Sequence, residues 1–192
     1  LCCMCGACEV ICPCGAIAMK ETQGGLLFPY LEEDKCNLCG LCLEVCPGLG
    51  LGKISLEHLP EDPFAGTVQE TYVGKSTDQK IFDNSQSGGA VTAVLSYLLD
   101  KGEIEAAIVT KWDSSNIYRP LVYFAETKEM LLESQKSIYS PVPLLNAISE
   151  INKNPRKVAF VGLGCHVEGI KKVMEQYPEL KNDITYIFGL VC

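Results

Sequence analysis

Two stretches of the chain set cysteines at intervals suited to holding metal. They read Cys2-x-x-Cys5-x-x-Cys8-x-x-x-Cys12-Pro13 and Cys36-x-x-Cys39-x-x-Cys42-x-x-x-Cys46-Pro47, and with Cys3 and Cys14 they place ten of the 12 cysteines in the first 46 residues. Three cysteines two residues apart let one tight loop wrap three iron corners of a cubane, and the fourth corner must be reached from elsewhere. A proline after the fourth cysteine lacks an N–H and disfavours helix in the residue before it, so the chain turns away there. Gly6 and Gly40 follow the second cysteine of each run, where a missing side chain lets backbone amides approach cluster sulfurs. This is the bacterial two-cluster spacing, in which the fourth cysteine serves the other cluster. Cys2, Cys5, Cys8 and Cys46 are therefore expected on one [4Fe–4S] cluster, and Cys36, Cys39, Cys42 and Cys12 on the second. A structural zinc site uses two C-x-x-C pairs and has no use for three evenly spaced cysteines followed by Cys-Pro. Disulfides belong to secreted miniproteins, and the chain shows no basic stretch leading into an apolar signal segment. Cys3 and Cys14 lie outside the pattern and read as bystanders or small buried hydrophobes.

The elements that must position these ligands follow from the residues between and beyond them. The two runs form an internal repeat offset by 34 residues, Cys2 to Cys36. Ala16–Met19 and Gly25–Tyr30 read as two strands around a Gly24-Gly25 turn, a hairpin able to cover the clusters and exclude water. Residues 1–55 are thus expected to form an α+β, ferredoxin-like two-cluster domain. Residues 47–66 are rich in Gly, Pro and acidic groups, and 56–66 read as a linker. From 67 to 192 strands and helices alternate, implying an α/β domain with a mainly parallel sheet. Strands are expected at 67–73, 104–110, 121–125, 157–161 and 184–191. Helices are expected from Ala90 to Gly102, over 128–135 behind a Thr127 cap, over 143–153, and from Gly164 to near Tyr177.

Two glycine turns stand where such sheets bind ligands, at the carboxyl ends of strands. Ser85-Gln86-Ser87-Gly88-Gly89 precedes a helix, so it suits either a phosphate at the helix N-terminus or an N-cap with close backbone packing. Gly162-x-Gly164 lacks the third glycine of the dinucleotide fingerprint. Cys165, at a helix start, is expected to have a lowered thiol pKa and to serve as nucleophile or metal ligand, or else as a small buried turn residue. His166 reads as a ligand, a proton donor or a structural histidine, and His58 carries no signal. No catalytic residue is singled out.

The 192 residues are 47% hydrophobic and 21% charged, enough for a medium domain plus a small one. A net charge of −8 argues against nucleic acid or anionic lipid as main partner and suits a basic patch on a redox partner. No apolar run is long enough to span a bilayer, and a cytoplasmic location is expected. Both ends, at Leu1 and Cys192, read as cut from a longer protein.

In the order of its blocks the chain resembles the coenzyme F-420 hydrogenase/dehydrogenase beta-subunit family. The blocks are the two cysteine runs, then Gln86 to Leu95 with Gly102, then Val161 to Lys172, then Phe188 to Cys192. The resemblance implies an iron–sulfur electron-transfer subunit of a flavin-dependent oxidoreductase, working between [4Fe–4S] clusters, FAD and a soluble carrier. Coenzyme F-420, ferredoxin or a nicotinamide are the candidate carriers, and a redox partner protein or subunit is implied. It also implies FAD beside Ser87, Gly88, Gly89 and Thr92, and a third [4Fe–4S] cluster on Cys165 and Cys192 completed by a later C-x-x-C. Gly164 departs from the family's usual proline. The competing expectation is an electron-transfer or docking module without its own flavin.

Overall fold

The computed structural model describes residues 1–50, 66–116 and 119–191. The expected linker, apart from Gly66, lies outside the described residues, as do His58 and Cys192.

The cysteine-rich segment begins with helix α1 (Ala7–Ile11), which follows Cys2 and Cys5 and carries Cys8. Strands β1 (Ile17–Glu21) and β2 (Leu27–Leu31) form the expected antiparallel hairpin, paired from Ile17 with Leu31 to Glu21 with Leu27. A 3-10 turn (Glu33–Lys35), α2 (Leu41–Glu44) and α3 (Pro47–Gly50) repeat the opening arrangement around the second run.

The remainder contains α4 (Gln79–Asn84), α5 (Ala90–Asp100), β3 (Ala106–Trp112), β4 (Pro120–Ala125) and α6 (Lys128–Glu133). A 3-10 turn (Leu144–Ala147) then leads into α7 (Ile148–Ile151), β5 (Val158–Leu163), α8 (Gly164–Gln176), α9 (Leu180–Asp183) and β6 (Ile184–Leu190). The sheet order is β4-β3-β5-β6. β3, β5 and β6 run parallel, and β4 returns antiparallel on the edge because the stretch after Trp112 is too short for a crossover. The sheet is therefore mixed and mostly parallel.

Alternation along the strands makes two cores. Ala107, Val109 and Ala159 face one way and pack with Leu95 and Leu98 of α5 and Leu131 of α6. Ala106, Ile108, Val158 and Phe160 face the other way, toward Leu144, Ile148, Ile170 and Val173. That second core also takes in Cys5, Ala7, Ile11 and Val45. The cysteine-rich segment thus shares apolar burial with the α/β layers.

Helix boundaries follow local chemistry. Thr127 accepts from the Met130 N–H and starts α6; Asp78 accepts from the Ile81 N–H and starts α4, a helix the apolar periodicity does not reveal. α5 stops where Gly102, at φ 68, lets its N–H reach Leu99 O and the Glu103 N–H reach Leu98 O. The strand expected at 67–73 is not formed. Val68, Tyr72 and Val73 are exposed there, and a β-branched run without a neighbouring strand to pair with gains nothing from extending. Residues 143–153 are helical in two pieces, a 3-10 turn and the short α7.

Candidate metal centre

Each cysteine run closes into a loop by the same backbone device. Met4 and Leu38, between the first and second cysteines, take left-handed φ of 54 and 59, and Gly6 and Gly40 follow at 89 and 79. The loops bring amides onto sulfur: the Met4 N–H donates to Cys2 Sγ and the Leu38 N–H to Cys36 Sγ, each at 3.4 Å. The Ala16 N–H donates to Cys12 Sγ at 3.2 Å. Such amides stabilise a charged sulfur.

The eight run cysteines border one cavity of about 580 Å³, walled further by Ile17, Met19, Pro29 and Leu31 of the hairpin. Burial pushes the Cys8 thiol up to about 12, and Cys5, Cys2 and Cys46 lie close enough to add to it. Burial likewise raises Cys42, whose neighbours are Cys12, Cys39 and Cys36. Cys46 thus lies near enough to act on Cys8, and Cys12 near enough to act on Cys42. Thiolates crowded in this way repel unless positive charge sits among them, and iron in a cluster core would supply it. Cys12 is lowered despite the opposing effect of burial, because the Ala16 N–H and the Cys14 thiol, 3.7 Å from Cys12 Sγ, favour its charged form. Among the described residues no three His, Cys, Asp or Glu side chains converge as for a single metal ion. The cysteines instead stand around the cavity wall, and the residues present fit two clusters.

The first run is held by the α/β layers. The Leu145 N–H donates to Cys5 O at 3.0 Å, and Asn146 Nδ2 donates to Glu9 Oε2 at 2.7 Å. Cys5 Sγ lies 3.8 Å from where a Cβ at Gly169 of α8 would stand. Burial pushes the Cys5 thiol up to about 11, with Cys165, Cys3 and Cys46 close enough to add to it. No sequence signal marked Asn146 or Glu9, which lie 137 residues apart.

Cys165 sits in the first turn of α8. Its thiol pKa is raised, not lowered as expected: burial and the neighbouring Cys3 outweigh the helix N-terminus. Cys3 borders the cluster cavity and stands beside Cys165. His166 is structural. Its Nδ1 accepts from the Leu163 N–H at 3.2 Å, which leaves Nε2 to donate to Val142 O at 3.2 Å, and burial lowers its pKa.

At the other turn, Gly89 caps α5 with φ 70. A Cβ there would stand 2.9 Å from Ile81 Cγ2, and one at Gly88 would stand 2.8 Å from Gly74 O. Close packing against α4 and the preceding segment accounts for both glycines. Ser87 is exposed with its hydroxyl on the Gly88 N–H, and Thr92 is half-buried in α5.

A family model described as coenzyme F420 hydrogenase/dehydrogenase, beta subunit N-term, matches residues 71–149, and its C-terminus counterpart matches 155–192. A 4Fe-4S dicluster domain model matches residues 1–48. The coenzyme F420-dependent sulfite reductase of Methanocaldococcus jannaschii is 28% identical over 207 residues, covering 100% of this chain and 30% of its own length. One of the subunits of the F(420)H(2) dehydrogenase of Methanosarcina mazei is 28% identical over 200 residues, covering 100% of this chain and 53% of its own. The chain thus spans about half or less of the length of these relatives. Among solved structures, one chain of the xenon-derivatised F420-reducing [NiFe] hydrogenase complex from Methanosarcina barkeri superposes with TM-score 0.57 at 25% identity, over 66% of this chain and 47% of that one. With a dicluster segment ahead of matched N- and C-terminal parts, the chain belongs to the coenzyme F420 hydrogenase/dehydrogenase beta-subunit family.

Proposed function

We infer that this chain is the cluster-bearing part of a flavin-dependent oxidoreductase, passing electrons between two [4Fe–4S] clusters, FAD and a soluble carrier. The observation that carries the reading is the interleaving of the two runs, with Cys46 among the first three cysteines and Cys12 among the second three. Cys2, Cys5, Cys8 and Cys46 would hold one cluster, and Cys36, Cys39, Cys42 and Cys12 the other. Clusters supply one-electron steps, and a flavin converts these to electron pairs. The chain's own residues do the positioning. The amides of Met4, Leu38 and Ala16 donate to sulfur, and the hairpin side chains Ile17, Met19 and Leu31 limit water at the cavity.

FAD is proposed beside Ser87, Gly88, Gly89 and Thr92, supported by the family and by the free amides at the start of α5. A third cluster on Cys165 and Cys192 is supported by the place of Cys165 next to Cys3 and Cys5, one step from the first cluster. Coenzyme F420 is proposed as carrier because the relatives are named for it.

Anaerobic purification of the full-length protein tests the reading. About eight irons per chain from these two runs, with about four more if Cys165 and Cys192 serve a third cluster, are expected together with bound flavin. Reoxidation of the reduced protein by F420, nicotinamide or ferredoxin then identifies the carrier. Iron without flavin would favour a docking module, and zinc without iron would sink both readings.

A further inference from the structure

The two cysteine runs are equivalent in sequence and unequal in surroundings. Cys5 and Cys39 occupy the same position of the repeat, yet Cys5 is 7% exposed in the core shared with the α/β layers, whereas Cys39 is exposed. One residue earlier the tight loop imposes left-handed backbone on both Met4 and Leu38. Met4 is half-covered; Leu38 stands 89% exposed. A leucine with left-handed φ that projects into water buries little apolar surface, where Asn or Gly would hold the turn at lower cost. Leu43, 63% exposed on α2, joins it on the rim of the cluster cavity.

Charge frames this apolar pair. Glu33, Asp34 and Glu44 are exposed and make no ion pair among the described residues, while Lys35 and Lys20 are both drawn to Glu32. Glu44 follows Leu43 directly, and Glu33 and Asp34 precede Leu38 by five and four residues, so an apolar contact with unpaired anions beside it complements a carrier protein whose own redox centre lies under an apolar patch ringed by lysines.

We propose that the second cluster is an external port of the chain, reached when a lysine-ringed one-electron carrier protein docks on Leu38 and Leu43. The proposal rests on the cluster reading above. The step balances as one electron: the reduced cluster loses it, the carrier's centre gains it, and no bond or proton moves.

The test uses the anaerobically prepared full-length protein. Electron paramagnetic resonance of the dithionite-reduced sample shows whether both clusters are present, which examines the functional reading alone. Stopped-flow reoxidation by a lysine-rich c-type cytochrome then examines the port. The second-order rate should fall about tenfold or more from low to high salt. The triple variant Glu33→Lys, Asp34→Lys, Glu44→Lys should lose about tenfold or more of the low-salt rate. Leu38→Ser keeps the backbone amide that reaches Cys36 Sγ and should slow the reaction at every salt concentration, with a redox titration of the variant separating a lost docking contact from a shifted cluster potential. Reversing Glu103, Glu175 and Glu179, exposed elsewhere, alters net charge equally and should slow it far less. Equal slowing by the two triple variants would overturn the proposal, since net charge alone would then set the rate. Unchanged rates in both the first triple and Leu38→Ser would also overturn it, as when another stretch of the polypeptide or a second copy covers the patch. Absence of both cluster signals in the wild type would instead defeat the functional reading, and the port with it.

Discussion

Alanine in place of Gly6 should destabilise the protein well beyond alanine in place of Gly40, although the two glycines occupy the same position of the repeat. Both have positive φ, 89 and 79, so alanine costs about 1–2 kcal/mol of left-handed strain at either site. At Gly40 nothing lies within 4 Å of the added methyl. At Gly6 the methyl would stand 2.4 Å from Asn146 Oδ1 and 3.3 Å from its Cγ. Asn146 cannot withdraw freely, because its Nδ2 holds Glu9 at 2.7 Å and the adjacent Leu145 N–H holds Cys5 O at 3.0 Å. Displacing it breaks the Glu9 bond and leaves a buried amide without partner, about 1–3 kcal/mol. Gly6→Ala should therefore cost about 2–5 kcal/mol and Gly40→Ala about 1–2. At about 2–4 °C per kcal/mol, the apparent Tm of the two variants should differ by roughly 2–12 °C. Thermal unfolding followed by circular dichroism on anaerobically reconstituted protein measures this, with iron content as the control for cluster assembly. Removing the obstruction with Asn146→Ala should bring the Gly6→Ala penalty down to that of Gly40→Ala. Equal Tm losses at the two glycines would refute the reasoning, because the first loop would then not be seated against the 3-10 turn at Leu144–Ala147.

Cys5→Ser and Cys39→Ser should each lose about half of the iron, about four of about eight atoms, by metal analysis. Only Cys5→Ser should also lower Tm in the metal-free protein, since Cys5 lies in the shared core and Cys39 does not. His166→Ala leaves the Leu163 N–H and Val142 O without partners, so a loss of about 2–4 kcal/mol by urea unfolding is expected. Burial holds the folded pKa of His166 below its unfolded value of about 6.5. The contribution of the neutral ring is therefore complete above that pH and falls away as pH drops below it, a slope that His166→Gln should flatten in urea midpoints taken between pH 8 and 5. Gly164→Pro should be tolerated or raise Tm by about 1–3 °C, because Gly164 is the first residue of α8, where proline is favoured, and a Cβ there meets nothing within 4 Å; calorimetry reads it.

Much of the fold was legible because its signals are local. α5 follows from apolar residues at helical spacing closed by Gly102, and the β1–β2 hairpin from two short apolar runs about Gly24-Gly25, both decided by neighbours a few residues away. The 67–73 stretch has strand composition too, but a strand exists only with a partner, and the sheet places none beside it. The sheet's mixed character likewise depended on β4 folding back along the outside of β3.

The cysteine runs show the same division most sharply. A dicluster segment was readable from sequence alone, because the spacing that lets a loop wrap three corners of a cluster, and the proline that ends it, act within a dozen residues. What separates Cys5 from Cys39 and brings Cys3 beside Cys165 is packing against α8 and the turn at Leu144–Ala147, more than a hundred residues away in the chain. A near-symmetric repeat cannot state which of its copies faces inward. Only packing against the α/β layers breaks that symmetry, burying Cys5 and leaving Cys39, with Leu38 beside it, at the surface.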